Sequence, residues 1–176
     1  MENPSAFKAE WKQLHEQSLF YWELLQELPE DMLKKKPDNS HWSLLQIMEH
    51  LAGAEAAGLQ YLQRKDYAVL QNRGFLPAGI RAIILKLALL SPLKFKAPPV
   101  LATFPTNTSE PEELYTRWQQ TRKGLASYLE GIPAEKKQAL LFKHPVAGPL
   151  TPHQMLVFMA DHLQHHRRQA RQLLDI

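Results

Sequence analysis

Apolar residues recur at steps of three and four along four segments of the chain, the spacing that gathers side chains on one face of a helix. The first segment covers residues 5–28 and ends before Pro29, and the later ones begin at Ser43, Ser109 and Thr151. No segment shows the alternation of apolar and polar residues that is typical of a half-buried strand. The pattern therefore predicts an all-α protein built as a four-helix bundle.

Three of the predicted helices begin with the signature of a capping box. In this motif a Ser or Thr side chain accepts a hydrogen bond from the backbone N–H three residues later, and a Glu or Gln there bonds back. The pairs are Ser43 with Gln46, Ser109 with Glu112, and Thr151 with Gln154. Pro152 also suits the first position of the last helix, where no backbone N–H is needed. These starts fix which residues face the interior.

The helical pattern dissolves between the second and third predicted helices. Residues 66–108 contain a short apolar stretch and then a proline-rich run, together much longer than the usual connection in a bundle. We expect residues 75–105 to form a long insertion between these helices. Because so much apolar surface is unfavourable in water, the insertion should lie across the outside of the bundle, near the open side of the candidate site or at a dimer contact.

Histidines occupy inward positions on two of the predicted helices. The second helix has the stripe Ile47, His50, Ala54, Ala57 and Tyr61, and the fourth has Met155, Met159, His162, His166, Gln169 and Leu173. Since residues four apart stack on one helix face, His162 and His166 can share one metal ion, and His50 is the third candidate ligand. Burying three unpaired imidazoles costs about 1–3 kcal/mol each, which a shared ion removes. Three such ligands leave a coordination position open, as in catalytic zinc sites.

Other interpretations of these histidines remain open. His50 is alternatively a core histidine bonded to a backbone carbonyl, with the other two hydrogen-bonding across the bundle. The pair His162 and His166 lacks the glutamate that follows the first histidine in zincins, so it brings no general base. His165 is expected at the surface or behind the ligands. Four further histidines are expected on polar helix faces or in loops: His15, His41, His144 and His153. Of these, His144 and His153 are also candidates for the mouth of a pocket.

Length and composition fit one ordinary folding unit. The chain has 176 residues, 44% of them apolar and 22% charged, so we expect a single domain over residues 1–176.

The net charge of +3 is small and spread along the chain, and a helix C-terminus explains the arginines at 167–171, so nucleic-acid binding is disfavoured. The start of the sequence lacks a secretory pattern, and residues 75–90 are too interrupted to span a membrane. We expect a cytoplasmic protein.

Cysteine is absent from the sequence. This excludes disulfides, thiolate metal ligands and a cysteine nucleophile belonging to the chain itself. Any thiol chemistry would therefore need a thiol supplied by another molecule.

Two motifs resemble the DinB/YfiT-like superfamily of bacterial metal-binding four-helix bundles. They are HWSLLQIMEHL at residues 41–51, and TPHQM at 151–155 leading to HLQHHRRQ at 162–169. The resemblance covers most of the chain and implies that the metal ligands are His50, His162 and His166. It also implies a divalent ion, commonly zinc or nickel, and a homodimer. Members include transferases and isomerases that act with low-molecular-weight thiols such as bacillithiol or mycothiol. The long middle at 75–105 departs from simpler members.

Three hypotheses about function follow from these observations, two of them within the enzyme class. The leading hypothesis is a metal-dependent transferase that uses a low-molecular-weight thiol and acts on a small-molecule substrate. A metal-dependent hydrolase is the alternative within the enzyme class, and a carboxylate near the metal would favour it. A non-catalytic, metal-stabilised stress or interaction module would instead show a closed coordination sphere and no pocket.

Overall fold

The computed structural model describes residues 4–71, 79–80, 105–145 and 147–174. Its elements are α1 (Lys8–Glu27, after a 3-10 turn at Ser5–Phe7), α2 (Glu30–Lys34), α3 (Leu44–Lys65), α4 (Pro111–Glu130), a 3-10 turn at Ala134–Lys136, β1 (Phe142–His144), β2 (Gly148–Leu150) and α5 (Pro152–Leu173). The four predicted helices are α1, α3, α4 and α5, and the all-α class is confirmed. Short helix α2 and the antiparallel β1–β2 hairpin were not predicted. No helix in the described part of the chain is long and apolar enough to cross a membrane.

Within the described residues, the four long helices close into a ring around one apolar core. Helix α1 packs on α5 and α4, and α3 packs on α4 and α5. Each helix contributes side chains that are at most 1% exposed, such as Trp11, Leu45, Trp118 and Leu163. The Tyr21 hydroxyl donates a hydrogen bond of 2.6 Å to the Leu163 carbonyl and so links α1 to α5. The predicted stripe of α3 is buried at Ile47 and His50 but exposed at Ala57, and that of α5 is buried at Met155, Met159 and His166 but exposed at Gln169. The buried face of α3 continues instead through Glu55, Leu59 and Leu62, because this helix packs on α4 as well as on α5.

The predicted starts of α3 and α5 are confirmed. The Ser43 hydroxyl accepts from the Gln46 backbone N–H at 3.1 Å, and the Gln46 side chain accepts from the Ser43 N–H at 3.1 Å. The same reciprocal pair joins Thr151 and Gln154, at 3.2 and 3.0 Å. Both capping boxes satisfy backbone donors that a helix start leaves unpaired.

The predicted start of α4 at Ser109 was wrong. Glu110 is the capping residue, and Pro111 takes the first helical position. Proline is favoured there because its fixed φ suits the helix and its missing N–H costs nothing. The Ser109 N–H is instead donated to the Glu49 carboxylate at 3.0 Å, which holds Ser109 outside the helix.

Glu49 ties the loop before α4 to helix α3. Its carboxylate also accepts from the Asn107 N–H at 2.8 Å and from the Thr106 hydroxyl at 3.2 Å. Asn107 adopts a positive φ of 65°, a conformation that Asn tolerates better than most residues. Its side-chain amide donates to the Lys34 carbonyl at 2.9 Å. The loop is thus attached to α3 at Glu49, the residue next to His50.

The predicted insertion at residues 75–105 falls almost entirely outside the described residues, which include only 79–80 and 105 of it. Its expected position across the bundle stays a prediction.

Candidate metal centre

Three imidazoles meet between α3 and α5. The side chains are His50 from α3 and His162 and His166 from α5, and one ring nitrogen of each lies within 4.8 Å of the others. The Nε2 atoms of His50 and His162 are 3.1 Å apart. The three ring centroids form a nearly equilateral triangle with sides of 4.9–5.0 Å. The convergence that the sequence predicted is therefore present, and the hydrogen-bond partner of His50 here is an imidazole rather than a backbone carbonyl.

Gln169 orients one of the three rings. It lies three residues after His166 on α5, and its side-chain oxygen accepts a hydrogen bond of 2.8 Å from His166 Nδ1. With the proton on Nδ1, the lone pair of Nε2 is left to face the cluster. A hydrogen bond behind a histidine is the usual device that fixes the ring of a metal ligand.

Two aromatic side chains wall the cluster. Trp42, just before α3, contacts His50 at a ring-centroid distance of 5.1 Å and stacks on His166 at 6.2 Å and 16°. Phe158, one turn before His162 on α5, stacks on that ring at 5.5 Å and 13°. These contacts hold the imidazole planes and shield them from water.

Burial makes the three histidines neutral near pH 7. It lowers the pKa of His50 to about 4 and, assisted by the charge of His50, that of His166 to about 3. Burial also brings the pKa of His162 well below its usual value of 6.5, and the two neighbouring imidazoles act in the same direction. A neutral imidazole keeps the lone pair that a metal ion requires.

The carboxylates of α3 that flank the cluster already have partners. Glu49 bonds the loop before α4, and these hydrogen bonds outweigh burial, which alone would raise its pKa, so the pKa is lowered. Glu55 is 4% exposed and forms an ion pair with Arg122, which is fully buried. Arg122 Nη2 donates to Glu55 Oε1 at 2.7 Å, and Trp118 Nε1 donates to Oε2 at 2.9 Å.

The donor set fits a divalent cation. Two nitrogens bound to one tetrahedral zinc at about 2.0–2.1 Å lie about 3.3 Å apart, close to the 3.1 Å between His50 and His162. In the described ranges, no fourth histidine or carboxylate joins the group. The described residues thus offer three neutral nitrogens, a set that would leave a position for an outside ligand.

His144 is buried, contrary to the surface position expected from the sequence. It is 8% exposed on β1, and its Nδ1 accepts a hydrogen bond of 2.9 Å from the Ala147 N–H. Its ring meets Phe158 edge-on at 4.4 Å, and burial lowers its pKa to about 4. The hairpin that buries His144 has strands of only three residues, too short for a periodic sequence signal.

Of the other four histidines, two are exposed and two are half-buried. His41 and His153 are exposed as expected, and His153 pairs with Glu10 at 2.8 Å. His15 is half-buried against Trp22, with ring centroids 5.4 Å apart, rather than on a polar face. His165 is half-buried with its ring edge-on to a neighbour in the cluster, at 5.1 Å.

The sequence analysis did not predict that Phe158 and Trp42 would stack on the histidines of the cluster. Phe158 lies four residues before His162, and this spacing was the available signal for a stacked pair. Gln169 stood on the predicted stripe, but its hydrogen bond was not foreseen.

The fold and the site define the class of protein: an all-α bundle with three histidines gathered between two of its helices. Residues 13–170 match the family model of the DinB superfamily, and the chain belongs to that family. Members of this superfamily commonly bind a metal, and the three-histidine cluster is compatible with a divalent ion. No curated protein and no solved structure matches the chain.

Proposed function

We propose that this chain binds one divalent metal ion, zinc or nickel, through His50, His162 and His166 and acts as a transferase that joins a low-molecular-weight thiol to an electrophilic small molecule. One observation carries the proposal. Three neutral imidazoles meet in one cluster that, in the described part of the chain, no fourth histidine or carboxylate completes. Such a site is open to a ligand, whereas structural zinc sites are normally closed by four protein ligands.

The protein's own groups would hold and orient the metal ligands. Gln169 sets the ring of His166, and Trp42 and Phe158 fix the imidazole planes and exclude water. A divalent ion held there supplies a positive charge that lowers the pKa of a bound thiol from about 8.5. In the transfer, a sulfur–carbon bond forms while the carbon loses its leaving group with the bonding electron pair, and the thiol proton passes to solvent.

Two features support an outside thiol over water as the nucleophile. The chain contains no cysteine, so it has no thiol of its own to compete for the open position. The carboxylates of Glu49 and Glu55, two candidates for the base of a hydrolase, are already committed to hydrogen bonds. Recruiting either one would break contacts that stabilise the fold.

Metal analysis tests the ligand assignment. We expect one divalent ion per wild-type chain, and none in His50→Ala, because a site with two of three ligands binds weakly while the apolar core still folds. His153→Ala is the matched control, since His153 lies on the same helix as two ligands but is exposed. Full metal content in His50→Ala, with a helical circular dichroism spectrum, would contradict the assignment.

A transfer assay tests the chemistry. Metal-loaded protein is incubated with bacillithiol, mycothiol or glutathione and an aromatic halide, and thioether formation is followed by mass spectrometry. We expect a metal-dependent rate with at least one thiol, retained in His153→Ala and lost in His162→Ala. Equal rates for wild type and His162→Ala with every thiol would remove the transferase. Metal-dependent hydrolysis of an ester substrate in its place would identify a hydrolase.

A further inference from the structure

A small cavity lies beside the histidine cluster, between α3 and α5. Its wall includes His162, a member of the cluster. The rest of the wall is mostly apolar and includes Ala54 from α3, Phe142 from β1 and Met159 from α5. Glu55 contributes the wall's carboxylate.

That carboxylate offers little to a polar ligand. Glu55 Oε1 accepts from Arg122 Nη2, and Oε2 accepts from both Arg122 Nε and Trp118 Nε1. The guanidinium balances the negative charge, and both oxygens are bonded. A polar group entering the cavity would lose its water and meet only His162 as a further polar partner, whereas an apolar group gains from leaving water.

Gly58 lies against two residues of the cavity wall. A Cβ at this position would lie 3.1 Å from Met159 Cε and 3.6 Å from Phe142 Cε2, both on wall residues. The first distance is too close for an undisturbed contact, so a methyl group here would move the end of Met159. A glycine inside a helix costs about 1 kcal/mol relative to alanine. The missing side chain at Gly58 therefore leaves room for the end of Met159, a residue of the cavity wall.

We propose that the cavity is an alkyl-binding subsite, which receives a short alkyl group of the small-molecule substrate. That this substrate is the electrophile rests on the proposed function. With its alkyl group in the cavity, the electrophile lies against His162 and brings its reacting carbon to the histidine cluster. Because the cavity is far smaller than one that holds an aromatic ring, we expect only a short chain to enter it.

Binding of n-alcohols from ethanol to pentanol tests the subsite directly. The probes are titrated into the 176-residue chain, with and without zinc, and followed by the NMR signal of the Met159 methyl group. Each methylene that enters the cavity should tighten binding about fourfold, and the gain should stop once the cavity is full. Gly58→Ala should weaken binding of the longest alcohol that fits by about fourfold, since the added methyl group moves the end of Met159 in the cavity wall and space for about one methylene is lost.

Gly124→Ala is the matched control. A Cβ there would lie 2.8 Å from Leu59 Cδ2, which is also a flexible apolar end but is not part of the cavity wall. This variant should bind the alcohols like wild type. Equal affinity for all alcohols, or wild-type affinity in Gly58→Ala, would overturn the subsite.

The two proposals fail in different ways. Chain-length-dependent alcohol binding without thiol transfer would support the alkyl subsite and remove the transferase. Thiol transfer that proceeds equally with methyl-, ethyl- and propyl-substituted electrophiles, in both wild type and Gly58→Ala, would support the transferase and overturn the subsite.

Discussion

Glu55→Gln should destabilise the protein strongly, because it removes one charge from a buried ion pair. Arg122 is 0% exposed and Glu55 4%, and the pair is joined by two hydrogen bonds, with a third from Trp118. Arg122 Nη1 already lacks a hydrogen-bond partner among the described residues. Removing one member of such a pair costs about 3–5 kcal/mol. In a domain of this size each kcal/mol lowers the melting temperature by about 2–4 °C, so we expect a fall of about 6–20 °C.

Urea unfolding followed by circular dichroism measures this loss. Glu16→Gln is the control, since Glu16 pairs with Lys12 on the surface and its loss should change stability by less than about 0.5 kcal/mol. The double variant Glu55→Leu/Arg122→Met should lose less than the sum of the two single variants, because it leaves no unpaired charge. A loss below about 1 kcal/mol in Glu55→Gln would refute the buried pair.

Two further predictions concern pH and the loop before α4. Burial lowers the folded-state pKa of His50 and His144 to about 4 and that of His166 to about 3, from 6.5. Below pH 6.5 the unfolded chain therefore holds more protons than the folded chain, so the stability of the metal-free protein should fall as the pH drops from 6.5 towards 4. Urea unfolding measures this stability, and a flat profile would contradict the prediction. Glu49→Gln should lower the free energy of unfolding by about 1–3 kcal/mol and speed amide hydrogen exchange at residues 106–109. Helix α5 is the unaffected reference, and unchanged exchange in the loop would contradict the assigned contacts.

Much of the fold was predictable because local chemistry marks the helix starts. The capping boxes at Ser43 and Thr151 place the helices in register, and the stripes then follow from 3.6 residues per turn. Ser109 failed because the same local signal competed with Pro111 and with a tertiary bond to Glu49. No sequence pattern reports a bond to a residue sixty positions away.

The site was predictable in its ligand candidates and not in its surroundings. Histidines on two core-facing stripes indicated a cluster, and His50 and His162 do meet. The pair of Glu55 with Arg122 and the burial of His144 depend on how elements pack, which the sequence does not state. The single domain, the metal and its identity, the homodimer and the cytoplasmic location stay predictions.

The location of the three histidines ties the chemistry of the site to the packing of the bundle. Each lies at a core-facing position, so the folding that buries Leu45 and Leu163 also removes the imidazoles from water. That burial keeps the rings neutral near pH 7, with lone pairs available to a metal ion. The same H-x-x-x-H spacing on an exposed helix face would titrate near 6.5, and its rings would rotate freely. The position of the pair on the inward stripe, more than its spacing, therefore distinguishes a candidate metal site from a chance pair of surface histidines.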